Sequence, residues 1–333
     1  MNVKKYKALA TALLLTLSAT LLLPSCSVAV NQNGRDPADT TEIPAETTVK
    51  EETTMDETTA LVTDETTADE TEPAETEFVR DGTPKKYITI RMDDGTTQDE
   101  RMMEIMRKYG VDCCTFYLNS GLFGANWTWV GQNFNRPDVT HLRYTRKELS
   151  TGIYDGFDVQ CHTVNHPSLK NYTEVQVTAE VKNDAATLKK IFGYEPVGLA
   201  WPGGDTEWNE QNILTIVNTT NVRYGSCTTR NVNKGLSKFS LPEYFMTWYP
   251  TCAFNDYDTM SLLDEFLAAE CTEDMLFYVW GHGYELDLAN SWGRFDLFIK
   301  TIAEAAEKDD SIVLVTNAEF YQLFKDEIPS WKE

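Results

Sequence analysis

The chain has 333 residues, of which 41% are hydrophobic, and its 52 acidic residues outnumber 29 basic ones to give a net charge of −23. Nucleic-acid binding depends on basic patches that neutralise phosphates, so we expect no nucleic-acid partner. The length is ample for one large core and falls within the range of a single barrel domain.

The first 25 residues have the pattern of a bacterial signal peptide. Basic residues precede an apolar run from Ala8 to Leu23, which is short of the ~20 residues that a comfortable membrane span needs. The run leads into Cys26, in a context similar to the lipobox of bacterial lipoproteins. We therefore expect residues 1–25 to be removed and Cys26 to carry a lipid anchor at the cell surface. An ordinary secretory signal, the alternative, would also export the protein.

The stretch that follows has too few apolar residues to form a hydrophobic core. Residues 36–77 contain 15 acidic residues, 13 threonines and a single lysine, a net charge of −14, and they contain no aromatic residue. Such a composition buries too little apolar surface to offset chain entropy. The sequence predicts that residues 26–79 are a disordered tether, with a reach of roughly 40 Å by flexible-coil scaling.

Residues 80–333 alternate short β-rich runs with helical patterns. Strands are predicted at KYITIRMDD, VDCCTFYLN, FDVQCHT, PVGLAWPGG, VRYGSCTT, FMTWYPTC, MLFYVWGHG and SIVLVTNAE. Helical patterns occupy DERMMEIMRKYG, YTRKELSTGIYDG, TEVQVTAEVKNDAATLKKIFG and residues 294–307. This alternation is typical of parallel sheets with right-handed crossovers. We predict an α/β fold, a single distorted (β/α)-barrel of seven or eight strands.

Six cysteines lie in this part of the chain, and their spacings show no disulfide framework. None has the C-x-x-C spacing of a zinc or redox site. We expect mostly buried free thiols at these positions, which are Cys113, Cys114, Cys161, Cys227, Cys252 and Cys271.

Two of the four histidines in the chain, His162 and His166, stand four positions apart. On a helix that spacing would place both on one face. Pro167, however, disfavours helical geometry at the residue before it, so a tight loop is the better prediction. Imidazole is the commonest metal ligand, but two ligands do not make a site, so others must come from elsewhere.

Polar residues follow several of the predicted strands. Asp93 and Asp94 end the first strand, His162 and His166 follow the third, a Pro-Gly-Gly turn follows the fourth, and His282 ends the seventh. In parallel barrels the carboxyl ends of the strands form one rim, where active sites lie. We therefore expect these side chains to converge.

Three of these segments resemble the motifs of the NodB-type polysaccharide deacetylases, carbohydrate esterase family four. Residues 91–95, Arg-Met-Asp-Asp-Gly, are similar to the first family motif, Thr-Phe-Asp-Asp-Gly. Residues 162–166 match the second, His-Ser/Thr-x-x-His, in full, and Val279–His282 resembles the last. The resemblance covers roughly residues 85–324.

The resemblance implies a metal-dependent deacetylase. Asp94, His162 and His166 would hold one divalent ion, zinc first, with cobalt, nickel or manganese as alternatives. Three protein ligands leave positions open, as in catalytic sites. Asp93 would be the catalytic base and His282 the general acid, and the N–H of Gly203 would stabilise the oxyanion.

The sequence departs from the family at several places. Ala200 stands where the third motif has an arginine that orients the base, and Gly203 replaces an aromatic residue. We expect Trp201, with Trp280, to supply substrate surface instead. No clear match exists for the acid that tunes the catalytic histidine. Glu285 and Asp287 are the two candidates for that role.

The insertion from Gly121 to His141 carries the aromatic residues Trp127, Trp129 and Phe134. It predicts either an exposed platform on which sugars stack or a lid packed on the barrel.

The expected substrate is an N-acetylated or O-acetylated polysaccharide, such as peptidoglycan, poly-N-acetylglucosamine, chitooligosaccharide or acetylxylan, acted on by a membrane-anchored monomer. One alternative is a non-catalytic or weakly active carbohydrate-binding lipoprotein, which Ala200 suggests. A phosphatase of the haloacid-dehalogenase type is disfavoured, because Met92 occupies the position that would require a nucleophilic aspartate.

Overall fold

A computed structural model describes residues 80–332 of the chain. The predicted signal peptide, Cys26 and the predicted tether lie outside these described residues. Within them, no helix is both long enough and apolar enough to cross a membrane.

Eight strands form one parallel sheet. They are β1 (Lys86–Asp93), β2 (Cys114–Leu118), β3 (Asp158–Cys161), β4 (Gly198–Ala200), β5 (Tyr224–Ser226), β6 (Cys252–Ala253), β7 (Met275–His282) and β8 (Ile312–Leu314). Their order is β5-β4-β3-β2-β1-β7-β6, and β8 pairs with the first half of β1. Seven of the eight predicted β-rich runs contain one of these strands. The eighth, FMTWYPTC, begins with a 3₁₀ turn at Phe245–Thr247 and reaches only the first residue of β6.

The chain between β5 and β6 brings the two ends of the sheet together. Trp248 forms an isolated parallel bridge with Ser226, at the end of β5. Three residues later the N–H of Thr251 donates to the carbonyl oxygen of Tyr278 on β7, at 2.7 Å. These contacts complete a distorted barrel, so the predicted fold class is confirmed.

Nine helices accompany the strands in the described part of the chain. They are α1 (Asp99–Lys108), α2 (Trp129–Asn133), α3 (Arg146–Leu149), α4 (Glu174–Phe192), α5 (Glu210–Thr219), α6 (Thr259–Ala268), α7 (Gly283–Leu288), α8 (Trp292–Lys308) and α9 (Asn317–Phe324). Most of the predicted helical stretches are confirmed, including the stop at Gly193, which adopts φ +84°. The helix predicted over residues 144–156 is wrong beyond α3, because Gly152 and Gly156 turn the chain with φ near +84°.

Alternation along the strands separates two apolar layers. Outward residues such as Ile88 and Ile90 belong to the larger cluster, which the surrounding helices cover. Inward residues form a second cluster with α9 that includes Tyr87, Tyr224 and Trp248. Polar side chains, and not this inner cluster, occupy the carboxyl ends of the strands. The free-thiol prediction is also confirmed, since all six cysteines between residues 80 and 332 are unpaired and five are buried.

Gly225 on β5 tests how tightly the barrel wall packs. A Cβ atom there would lie 2.4 Å from Nε1 of Trp201 and 2.8 Å from the carbonyl oxygen of Met246. These two groups are hydrogen-bonded to each other within the core, so neither can move freely. We expect Gly225→Ala to lower the free energy of unfolding by about 1–3 kcal/mol, the usual cost of overpacking, measured by urea denaturation.

Gly293 provides the matched control for that substitution. It lies on α8, and a Cβ atom there would have no neighbour within 4 Å. Gly293→Ala should leave stability unchanged or raise it slightly, because alanine favours helix. Equal stability of both variants would contradict this account of the packing around β5.

Candidate metal and catalytic centre

The predicted rim residues converge at one end of the barrel. Asp93 on β1 lies beside His282 on β7 in register, and the N–H of His162 donates to the carbonyl oxygen of Leu118 at the end of β2. Parallel strands end on a common edge, so these neighbours face one mouth.

Asp94, His162 and His166 are close enough to share one ion. One ligand atom from each lies within 4.8 Å of the others. Oδ1 of Asp94 is 3.7 Å from Nε2 of His162 and 4.0 Å from Nε2 of His166. The two imidazole rings meet edge to face, with centroids 4.7 Å apart.

The hydrogen bonds of His162 leave one ring nitrogen without a partner. Nδ1 lies 2.8 Å from the carbonyl oxygen of Ala200, which can only accept, so Nδ1 carries the proton and donates. Burial lowers the pKa of His162 to about 3, so the ring is neutral. Its buried Nε2 has no hydrogen-bond partner among the described residues and faces the carboxylate of Asp94. A lone pair directed at a carboxylate is an arrangement that a cation would satisfy.

The backbone at this site is strained. Five described residues other than glycine have positive φ, and three of them lie here: Asp94 at 79°, Thr163 at 67° and His166 at 54°. Positive φ is costly for most side chains and most of all for a β-branched one. Pro167 excludes right-handed helical geometry at His166, as expected, but the residue turns left-handed rather than extended. In these backbone conformations, Nε2 of His166 lies 4.0 Å from Oδ1 of Asp94.

Asp94 is also held by two residues that we did not predict from the sequence. Nε2 of His141 donates to Oδ2 at 2.9 Å, and Arg143 donates to Oδ1 at 2.9 Å. A second nitrogen of Arg143 donates to the backbone carbonyl of Asp94. Burial alone would raise the pKa of Asp94, but the bond from His141 and nearby positive charge hold it well below its usual range.

His141 ends the aromatic insertion, and Arg143 follows it two residues later. The ring of Trp127 lies 3.9 Å from the guanidinium carbon of Arg143 and meets His166 edge-on at 5.6 Å. Trp129 and Phe134 remain 39% and 44% exposed. The insertion therefore packs on the site through Trp127 and exposes Trp129 and Phe134 to solvent.

Asp93 has a different partner. It forms a two-pronged salt bridge with Arg91, whose Nε donates to Oδ1 at 2.7 Å and whose second nitrogen donates to Oδ2. The third nitrogen of Arg91 donates to the carbonyl oxygen of Cys227 at 2.7 Å. Burial raises the pKa of Asp93, but Arg91 outweighs it, so the pKa lies below its usual value.

Glu285 orients His282, so one of the two predicted candidates fills that role. Its Oε1 lies 3.1 Å from Nδ1 of His282. Burial lowers the pKa of His282, but the carboxylates of Glu285, Asp94 and Asp93 outweigh it and raise the pKa to about 9. Asp287 is engaged elsewhere, accepting a hydrogen bond from Trp292.

Trp201 does not supply substrate surface, contrary to our expectation. It is 1% exposed, donates to the carbonyl oxygen of Met246 and stacks on Trp208. Its ring lies in the larger apolar cluster. Gly203, in the turn after β4, is exposed with φ +71°, and Trp280 is partly exposed beside His282.

Asp184 stabilises the backbone at the start of the segment 162–166. Its carboxylate accepts from the backbone N–H groups of Ser120 and His162, at 2.8 and 3.0 Å. It lies on the buried face of α4, between Val181 and Leu188. An acidic residue in an apolar helical stripe is a sequence signal that could have identified it.

The chain is similar to a protein family model and to several solved structures. Residues 80–225 match the family model of polysaccharide deacetylases. None of the curated proteins matches the chain. Solved structures similar to it include a Bacillus cereus polysaccharide deacetylase, 18% identical over 43% of this chain and 40% of that chain, with a TM-score of 0.34. A Streptococcus pyogenes deacetylase in complex with acetate is 19% identical over 48% of this chain and 62% of that chain, with a TM-score of 0.35.

A family 4 acetyl xylan esterase from Clostridium thermocellum, in complex with a cobalt ion, is 13% identical over 73% of this chain and 93% of that chain, with a TM-score of 0.44. The match to the first two structures spans less than two thirds of their own length. Residues 80–225, the segment that matches the polysaccharide deacetylase family model, contain Asp93, Asp94, His162 and His166.

Proposed function

We propose that this protein is a metal-dependent hydrolase that removes acetyl groups from a polysaccharide. The observation that carries the proposal is the unpartnered Nε2 of His162, which faces the ionised carboxylate of Asp94 at 3.7 Å. A buried lone pair and a carboxylate oxygen repel each other unless a cation lies between them.

Asp94, His162 and His166 would hold the ion. Two imidazoles and one carboxylate suit zinc, and also cobalt, nickel or manganese. When bound, such an ion polarises an acyl carbonyl and makes water more acidic.

The remaining residues divide the proton transfers. Asp93 accepts the proton of the attacking water, whose oxygen bonds to the acetyl carbon. Arg91 binds both oxygens of Asp93 but leaves lone pairs free to accept that proton. His282, held at Nδ1 by Glu285, presents Nε2 and donates a proton to the leaving nitrogen or oxygen as its bond to the acetyl carbon breaks. Acetate and a free amine or hydroxyl result, and the N–H of Gly203 would stabilise the oxyanion.

Substrate class is tested by acetate release. The purified protein, supplied with Zn²⁺ or Co²⁺, is assayed on N-acetylated chitooligosaccharides and peptidoglycan beside acetylxylan. We expect release from at least one class, and the amide-to-ester ratio assigns the bond cleaved. Glycan binding without acetate release would instead favour the non-catalytic carbohydrate-binding alternative. That alternative arises from Ala200, and the bonds of Arg91 to Asp93 argue against it.

The two adjacent aspartates should have separable roles. Asp94→Asn should weaken metal binding and recover part of its activity in excess metal, because it removes the ligand charge. Asp93→Asn should keep the metal but lose turnover by ~10²–10⁴-fold, the usual contribution of a positioned acid or base. Metal analysis of both purified variants, beside their rates, checks this. If both retain metal and activity, the assigned centre is wrong.

His141 should contribute to metal affinity without being a ligand. His141→Phe keeps a ring but removes the hydrogen bond to Oδ2 of Asp94, so the carboxylate loses its orientation. We expect metal affinity to fall ~10–100-fold, as is typical when partners of ligands are removed. Phe134→Ala is the control, because it alters an exposed side chain of the same insertion. Titration with a competing chelator measures both, and equal affinities would refute this role for His141.

We further propose that the protein acts at the cell surface, anchored through a lipid on Cys26. The cysteine that follows the apolar run supports this location. Cys26→Ser should release the protein from the membrane fraction or block its processing, as seen by fractionation and immunoblotting. Equal membrane retention of both forms would rule out the anchor.

A further inference from the structure

Two departures from the family pattern meet at Asp93. The third family motif begins with an arginine that orients the base, and this chain has Ala200 there; the first begins with threonine, and this chain has Arg91. From the sequence alone, Ala200 removes the orienting arginine, and the arginine at position 91 has no evident role. In the structure, Arg91 donates hydrogen bonds to both carboxylate oxygens of Asp93.

The guanidinium of Arg91 connects β1 with the residue that follows β5. Arg91 and Asp93 are two residues apart on β1, so both side chains point inward. The remaining nitrogen of Arg91 reaches the carbonyl oxygen of Cys227, at 2.7 Å. Cys227 directly follows Ser226, which is the register partner of Ala200 in the pairing of β4 with β5. The guanidinium therefore extends to the edge formed by β4 and β5, next to the position that the family arginine would occupy.

The surroundings of Arg91 are built to hold a permanent positive charge. The side chain is fully buried, and its guanidinium carbon lies 5.6 Å from the ring centroid of Tyr117 and 5.3 Å from that of Trp280. Ala200 is also fully buried, in the inner cluster with Tyr117. A second large side chain at position 200 would compete with Arg91 for this space.

We propose that Arg91 is the positioning residue for the base Asp93 and replaces, from β1, the arginine that the family supplies from β4. The role rests on the proposed deacetylase function. Its physical basis is the planar guanidinium, which fixes both carboxylate oxygens at once and stays charged when buried. Lysine, with a single ammonium, cannot fix both oxygens in this way.

The test moves the arginine back to β4. Arg91→Thr removes it, and the relocation variant, Arg91→Thr combined with Ala200→Arg, restores the family pattern at both positions. The matched volume control combines Arg91→Thr with Ala200→Met, which adds bulk at position 200 without a guanidinium. Arg91→Lys keeps the charge and loses the two-pronged bond. For each protein, kcat, KM, metal content and melting temperature are measured.

We expect Arg91→Thr to lose roughly 10²-fold in kcat, the scale of a misplaced catalytic group, with KM and metal content little changed. The relocation variant should recover much of that loss, and the volume control should not. An unchanged kcat in Arg91→Thr would overturn the proposal, as would equal rates for the relocation variant and the volume control. If Arg91→Thr does not fold, Arg91→Lys tests the proposal in its place. Full activity of Arg91→Lys would also overturn the proposal.

A substrate-free measurement separates this proposal from the proposed function. If the wild-type protein releases no acetate from any acetylated glycan, the proposed function fails. The melting temperatures still report on the pairing, because Arg91→Thr leaves the buried carboxylate of Asp93 without its counter-charge. The relocation variant should then regain melting temperature relative to the volume control. Equal melting of these two proteins would show that an arginine on β4 does not take the place of Arg91.

Discussion

The site depends on one buried carboxylate, that of Asp94. All four histidines of the chain place an Nε2 atom within 4.0 Å of its oxygens, and Arg143 donates to it as well. A charge removed from water is tolerated only when paired and hydrogen-bonded. The two oxygens serve different neighbours: Oδ1 faces His162 and His166, and Oδ2 accepts from His141. The geometry of the whole rim follows from satisfying this group.

The barrel and the insertion contribute unequally to that arrangement. Strand ends supply Asp94, His162 and His282, and the rigid parallel sheet fixes their separations. The insertion supplies His141, and Arg143, two residues after it, donates to the other oxygen, so removing the insertion would leave Oδ2 of the buried carboxylate without its hydrogen bond. The left-handed backbone at Asp94 and His166 is strain that the surrounding packing must offset. The insertion is therefore part of the centre as well as its cover.

The sequence predicted what depends on local pattern. Apolar runs that end in polar residues indicated each strand, and the pair His162 and His166 indicated a centre at the rim. His141 could not be placed, because a histidine in an irregular loop carries no periodicity that fixes its direction. The pairing of Arg91 with Asp93, in contrast, could have been predicted, because residues two apart on a strand share a face. The burial of Trp201 depends on Trp208 and Met246, long-range contacts that no local pattern shows.

The charges around Asp94 are close to balance before any ion binds. The carboxylates of Asp93, Asp94 and Glu285 face the guanidinium groups of Arg91 and Arg143 and a protonated His282, whose pKa is about 9. A divalent ion would add two positive charges to this set. That excess would favour negative charge at the mouth, which an oxyanion develops during acyl transfer. A bound ion would also lower the proton affinity of His282 and so make it a better proton donor. The hydrogen bond between Glu285 and Nδ1 of His282 would oppose that shift and keep the proton available.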